Sequence, residues 1–411
     1  MAKNPQIRFR GFSEDWKNTQ LGEIYDFLKG KGLSKDRLSY RGKNKCILYG
    51  EIFTRYDFEV DGDISKTDFD DGVPSVAGDL IMPGSTTTDG IDLAKAIHVP
   101  EDGILYGGDI IVLRPKDAGD VNSYFQSTLI SSVNREQIAS LAQGITIVHL
   151  HGYDLFDLFY SMPTKGEQDK VGNLFKDVDQ LINHRQSQLD KLRQLRASLL
   201  LQIFPREGSD TPSLRFKGYD GAWDRMKVED LFILRNGYTP STSNSAYWSK
   251  GTIPWFRMDD IRDQGHIMED SALHITPEAV KGGGLFPAGS IIVSTSATIG
   301  EHALIKKDYL ANQRFTVLQS KNHWATVDMM FFYHYCFVLC EWCKKNVNVG
   351  GFDAVNITDL RQHMVPFPSI EEQRQIADFL SALEDRITFA TKQITKLKRF
   401  KQAILEKMLV A

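Results

Sequence analysis

Apolar residues recur at steps of three, four and seven along two stretches of this 411-residue chain and cluster in short runs elsewhere. The first stretch carries Val171, Leu174, Phe175, Val178, Leu181, Ile182, Leu189, Leu192, Leu195 and Leu199. The second carries Ile376, Phe379, Leu380, Leu383, Ile387, Ile394, Leu397, Ile404 and Met408. That spacing draws one apolar stripe down one face of a helix. Each run starts after a proline with capping-box spacing: Thr164 with Glu167, and Ser369 with Glu372. The pattern therefore predicts long helices over 164–206 and 369–411, each a rod of roughly 60 Å. A rod that long cannot cover its stripe against one small domain. Pairing the two stripes as an antiparallel coiled coil resolves this; the alternative is that each helix packs only on its own neighbouring domain.

Outside the two rods the apolar runs are short and bounded by turn residues. Runs at 45–49, 79–82, 109–113, 290–293 and 315–318 read as strands, and 329–343 reads as a buried helix. The class expected is α+β. Two globular modules, 1–163 and 214–368, are each followed by a rod, with a linker over 207–213.

The modules are copies. Arg8, Phe9, Gly11 and Trp16 recur as Arg215, Phe216, Gly218 and Trp223, an offset of 207 (215 − 8). Gly144 and Val148 match Gly351 and Val355 at the same offset. Gln168, Ile182, Lys191 and Leu192 match Gln373, Ile387, Lys396 and Leu397 at 205 (373 − 168). A period this long is a duplicated domain rather than a solenoid repeat. Duplication about a pseudo-two-fold axis implies antiparallel rods with one module at each end.

Composition narrows the class without deciding it. Hydrophobic residues make up 42% and charged residues 25%, ordinary globular values, and the net charge is −4. The opening MAKNPQIRFRGF has no signal-peptide core, and no apolar run is long enough to span a membrane, so a cytoplasmic protein is expected. His334, Cys336, Cys340 and Cys343 invite a zinc reading. On one buried helix, however, the three cysteines share a face and converge poorly on a tetrahedral ion, so core packing is expected. Charge is unevenly spread. Lys29, Lys31, Lys35, Arg37, Arg41, Lys43, Lys45 and Arg55 crowd one segment against Asp36 and Glu51, and 57–79 is acidic. The basic run fits either a phosphate-facing surface or a solvated loop.

No phosphate-binding GxxxxGK[ST], HExxH, GxSxG or dinucleotide GxGxxG pattern appears, and no catalytic constellation is duplicated. His149 and His151 fit the end of a strand. What recurs is a hydroxyl-rich loop after a strand: Ser85, Thr86, Thr87 and Thr88 in the first module, Ser294, Thr295, Ser296 and Thr298 in the second. Such loops suit phosphate contacts, although they are also common turns.

One block of the second module is more specific. It runs Asn236-Gly237-Tyr238-Thr239-Pro240-Ser241, then Tyr247-Trp248, then 253–261, then Asn312-Gln313-Arg314 and Gly350-Gly351. This block resembles the target-recognition domains of the specificity subunits of type I restriction-modification enzymes. Residues 371–377 resemble the start of that family's spacer helix. Gly30-Lys31-Gly32-Leu33-Ser34 with Leu48-Tyr49-Gly50-Glu51-Ile52 looks like a variant of the same domain. The resemblance implies a non-catalytic subunit that reads an asymmetric bipartite site on double-stranded DNA, one half per module. Its coiled coil would set the gap and dock two methyltransferase subunits, with motor-nuclease subunits joining the full complex. It implies no cofactor of its own; S-adenosylmethionine, ATP and Mg would belong to the partners. Candidate base and backbone readers are Lys31, Arg37, Lys43, Lys45, Tyr49 and Arg55, and Tyr247, Arg257, Gln313 and Arg314. The competing readings are a coiled-coil scaffold that binds no DNA and an autonomous enzyme.

Overall fold

Each half begins with the same three elements, displaced by 207 residues. Strand Lys17–Gln20, one helical turn Leu21–Ile24 and strand Tyr25–Lys29 recur as Asp224–Lys227, Val228–Leu231 and Phe232–Asn236. The first strand of each set pairs antiparallel with the strand that precedes the long helix, Phe159–Met162 in one half and Met364–Phe367 in the other. The computed structural model describes residues 4–206, 208–321, 326–348 and 353–410. Gly350 and Gly351 of the sequence motifs, and residue 207 of the linker, lie outside them.

The chain forms two compact units, Met1–Ser187 with Lys392–Ala411, and Gln188–Thr391. In the first, an antiparallel sheet runs Tyr25–Lys29, Ile110–Pro115, Leu80–Pro83, Ile97–His98. A second four-stranded sheet places Asn44–Ile47 parallel to Leu105–Tyr106. The second unit repeats the scheme with a five-stranded sheet and a three-stranded one. There Ile253–Phe256 runs parallel to Leu310–Ala311. Strands and helices mix throughout, so the class is α+β. The expected strands are present with shifted ends, save that Tyr49 does not close a strand. It opens the helix Tyr49–Thr54, because Glu51 folds back onto the Leu48 amide (2.9 Å) and starts a turn.

The long helices are Lys165–Ile203 and Ile370–Met408, 39 residues each. Their expected capping boxes form only in part. Ser369 Oγ accepts from the Glu372 amide (3.3 Å), but the Glu372 and Glu167 carboxylates point elsewhere, onto Arg215 and Arg8. Within the first unit, Leu405, Met408 and Leu409 join Trp16, Phe125 and Phe175 in the core. Within the second, Leu200, Ile203 and Phe204 join Trp223, Phe331 and Leu380. Helix Met329–Lys345 is buried as expected, with Cys336, Cys340 and Cys343 free thiols inside the core. Burial pushes the Cys343 thiol up to about 12.

Candidate DNA interface

In the first module three cations of the basic run are paired with carboxylates, one of them from the acidic stretch 57–79. Arg37 donates to Asp71 (2.6 Å) and lies over the Phe69 ring. Lys45 pairs with Glu101, and Arg55 with Glu51 (2.6 Å) and Ser65 (2.8 Å). Among the described residues Lys31 and Lys43 have no such carboxylate, and both are exposed. Tyr49 is exposed at the start of its helix. Behind this face burial pushes the Tyr56 hydroxyl up to about 12.

The hydroxyl loop behaves differently from its expected role. Ser85 and Thr86 form a short strand paired with Val148–His149, and both are buried. Ser85 Oγ donates to Asp109, Thr86 shares a hydrogen bond with Thr88 (2.8 Å), and Thr88 donates to Asp92. Thr87 and Thr88 remain exposed. The loop's hydroxyls thus bond one another, Asp92 and Asp109, and among the described residues the Thr87 hydroxyl has no such partner.

In the second module Ser294 and Thr295 are likewise buried, Thr295 against Thr316 (2.9 Å), while Ser296 and Thr298 are half-buried. The same edge pairing recurs: Ser296 bridges Ala354, and the Val355 amide donates to Thr295 O (2.8 Å). The Thr295 amide also donates to Arg314 O (3.1 Å), and the Asn312 amide to Phe256 O (3.1 Å). Those two bonds bring the loop, the exposed Gln313–Arg314 turn and the strand leading to Arg257 onto one surface. Gln313 accepts from Thr239, whereas Arg314 carries no ion pair among the described residues. Arg257 is half-buried, its Nε without a hydrogen-bond partner among the described residues. Tyr247 is half-buried against the small sheet's core, and nearby Trp248 meets Trp255 edge-on at 5.0 Å. The aromatic block thus builds the module more than it presents a surface.

One feature goes beyond the strand end expected at His149 and His151. His149, His151 and Tyr153 are exposed and stack in series, with centroids 6.3 Å and then 5.1 Å apart. Their spacing of two puts His149 and His151 on one side of extended chain, and the 3-10 turn Gly152–Leu155 then brings Tyr153 onto the same stack.

The profile of the type I restriction modification DNA specificity domain matches residues 221–399. Over that stretch the chain carries the sequence pattern of a type I restriction-modification DNA specificity domain. The type I restriction enzyme EcoprrI specificity subunit of Escherichia coli is 49% identical over 152 residues, 37% of this chain and 37% of that protein. The MjaIX specificity subunit of Methanocaldococcus jannaschii is 31% identical over 42% of this chain and 40% of its own length. The chain thus matches well under half the length of these two specificity subunits. The type I restriction-modification system S subunit from M. genitalium shares the fold over 99% of both chains, with TM-score 0.68 and 15% identity. Among the described residues, no group of three or more His, Cys, Asp and Glu could hold a metal ion, and no helix is long and apolar enough to cross a membrane.

Proposed function

We propose that this chain is the DNA-reading subunit of a type I restriction-modification complex, each module reading one half of an asymmetric bipartite site. The observation that carries this is a shared frame with divergent faces. Both modules anchor the start of their long helix through the same Arg–Glu and Gln contacts. Their exposed candidates differ: Lys31, Lys43 and Tyr49 in one, Gln313 and Arg314 in the other. Arginine suits guanine and glutamine suits adenine in the major groove, while lysines track phosphate.

The long helices serve as the spacer. Asp179 pairs with Lys401 (2.5 Å) in the first unit, and Arg196 with Glu384 in the second. Each unit therefore holds a stretch of both long helices side by side. Half-sites about one DNA turn apart, ~34 Å, suit readers held by such a rod. The rod's outer surface docks two methyltransferase subunits, and motor-nuclease subunits complete the assembly. S-adenosylmethionine, ATP and Mg act on those partners, so the chain itself neither methylates nor cleaves and works in the cytoplasm.

Methylome sequencing of a host expressing this chain with its methyltransferase tests the reading. One asymmetric motif of two short blocks and a fixed gap is expected. Methylation at a single undivided motif, or at none, overturns it.

A further inference from the structure

Ile145 is 99% exposed and Ile147 is 46% exposed, at the tip of a tight hairpin in the first module. Single exposed apolar residues are common on protein surfaces. This pair differs in three respects. The hairpin is closed by reciprocal bonds between Gln143 and His149, at 2.9 and 2.7 Å. Gly144 at its corner has φ +129°, and a Cβ there would lie 2.0 Å from Ile147 O, so the turn admits only glycine and is stiff. The hairpin's return strand, Val148–His149, is laddered to Ser85–Thr86 of the hydroxyl loop, beside exposed Thr87 and Thr88. In the second copy the residue 207 positions on from Ile145 is Phe352, so the sequence keeps an apolar side chain after the matched Gly144 and Gly351. The position of Phe352 lies outside the described residues.

A rigid tip that presents a large apolar side chain to water, tied to a hydroxyl loop, has the form of a wedge. We infer that Ile145 inserts between two stacked base pairs of the duplex and opens that step when the first module binds. The idea rests on the DNA-reading function proposed above. Apolar wedges of this kind unstack a base step and kink the duplex, while neighbouring hydroxyls and amides hold the phosphates on either side. Thr87, next to the strand Ser85–Thr86 that the hairpin pairs with, offers its hydroxyl for that purpose, and the His149–His151–Tyr153 stack supplies flat rings beyond the return strand.

Because Ile145 is almost wholly exposed, Ile145→Ser leaves the fold intact, which gives a clean test. The full chain with its methyltransferase subunits is bound to a duplex carrying the bipartite motif from methylome sequencing. The fluorescent base 2-aminopurine replaces each position of the first half-site in turn. Fluorescence should rise at one step with the parent chain and stay flat with I145S. Ile145→Phe should keep the rise. I145S should also weaken binding roughly tenfold, with an unchanged melting temperature. A parent complex in which no position brightens, or an I145S complex that brightens equally, overturns the wedge. Failure of the complex to bind any bipartite duplex would instead bring down the functional reading, and the wedge with it.

Discussion

Arg8 grips Glu167 with two parallel hydrogen bonds, Nε to Oε1 at 2.8 Å and Nη2 to Oε2 at 2.7 Å. Arg215 holds Glu372 in the same way, at 2.7 and 2.8 Å. Both carboxylates are 1% exposed. Beside them Gln168 and Gln373 each donate to the carbonyl of the proline before their helix, at 3.2 and 2.9 Å. Each also accepts a backbone amide from its module, Asn122 or Asp328. The duplicated contacts fix where each rod leaves its module. Trp16 adds a third bond to Glu167 (3.1 Å), whereas Trp223 Nε1 is buried without a hydrogen-bond partner among the described residues.

Removing one arginine strands a buried carboxylate, which costs about 3–5 kcal/mol for a buried pair. Arg215→Ala should therefore lower the urea midpoint of the second unit sharply. Arg215→Met with Glu372→Gln, which removes both charges, should recover most of the loss. An R215A chain as stable as the parent would show that this bond does not hold the helix.

Acid should weaken the second unit through two histidines. Burial, with Arg196 nearby, pushes His302 and His334 down to about 3. An unfolded imidazole titrates near 6.5, so below that pH the unfolded chain binds protons the folded one refuses. The stability present above pH 6.5 falls as the pH drops toward 3. At pH 5 the loss is about 2 kcal/mol per histidine. Urea melts at pH 7 and pH 5 should show it, and H302Q/H334Q should flatten the slope.

The exposed cations make a graded series. Lys31→Ala and Lys43→Ala should weaken binding to all duplexes alike and reduce the salt slope by about one each. Arg37→Ala and Lys45→Ala should change it less, because Asp71 and Glu101 already neutralise those charges. Arg314→Ala should alter one position of one half-site. Equal effects at Lys31 and Arg37 would place the interface elsewhere.

Four residues inserted after Ser187 and after Thr391 should lengthen the rods by about 6 Å, close to two base pairs. The methylated motif should keep both half-sites and gain that spacing. A changed half-site would break the spacer idea.

Much of this was legible in the letters because helices and duplications repeat. The stripes mark where both long helices run, and the matched Arg and Gln residues are the anchors themselves, whereas of the matched tryptophans Trp16 bonds its glutamate and Trp223 does not. What the matches did not reveal was their partner: Arg8 and Glu167 lie 159 residues apart, and Glu167 reads locally as a cap. The hydroxyl loops misled for a related reason. Ser85 and Ser294 look free in sequence, yet strand pairing with a distant segment buries them. Nor can spacing show that Asp71 and Glu101 fold back onto Arg37 and Lys45, since that depends on which strands lie side by side.

The first unit's core includes Leu405, Met408 and Leu409, and Ile7 N donates to Lys407 O (3.0 Å). During synthesis those residues leave the ribosome after everything in the second unit. A nascent chain halted before residue 392 therefore has its first module unsealed, with Trp16 and Phe175 short of neighbours and open to proteolysis. The end of helix Ile370–Met408 thus seals the first unit, and a chain truncated before residue 392 should be cut faster by protease than the full chain.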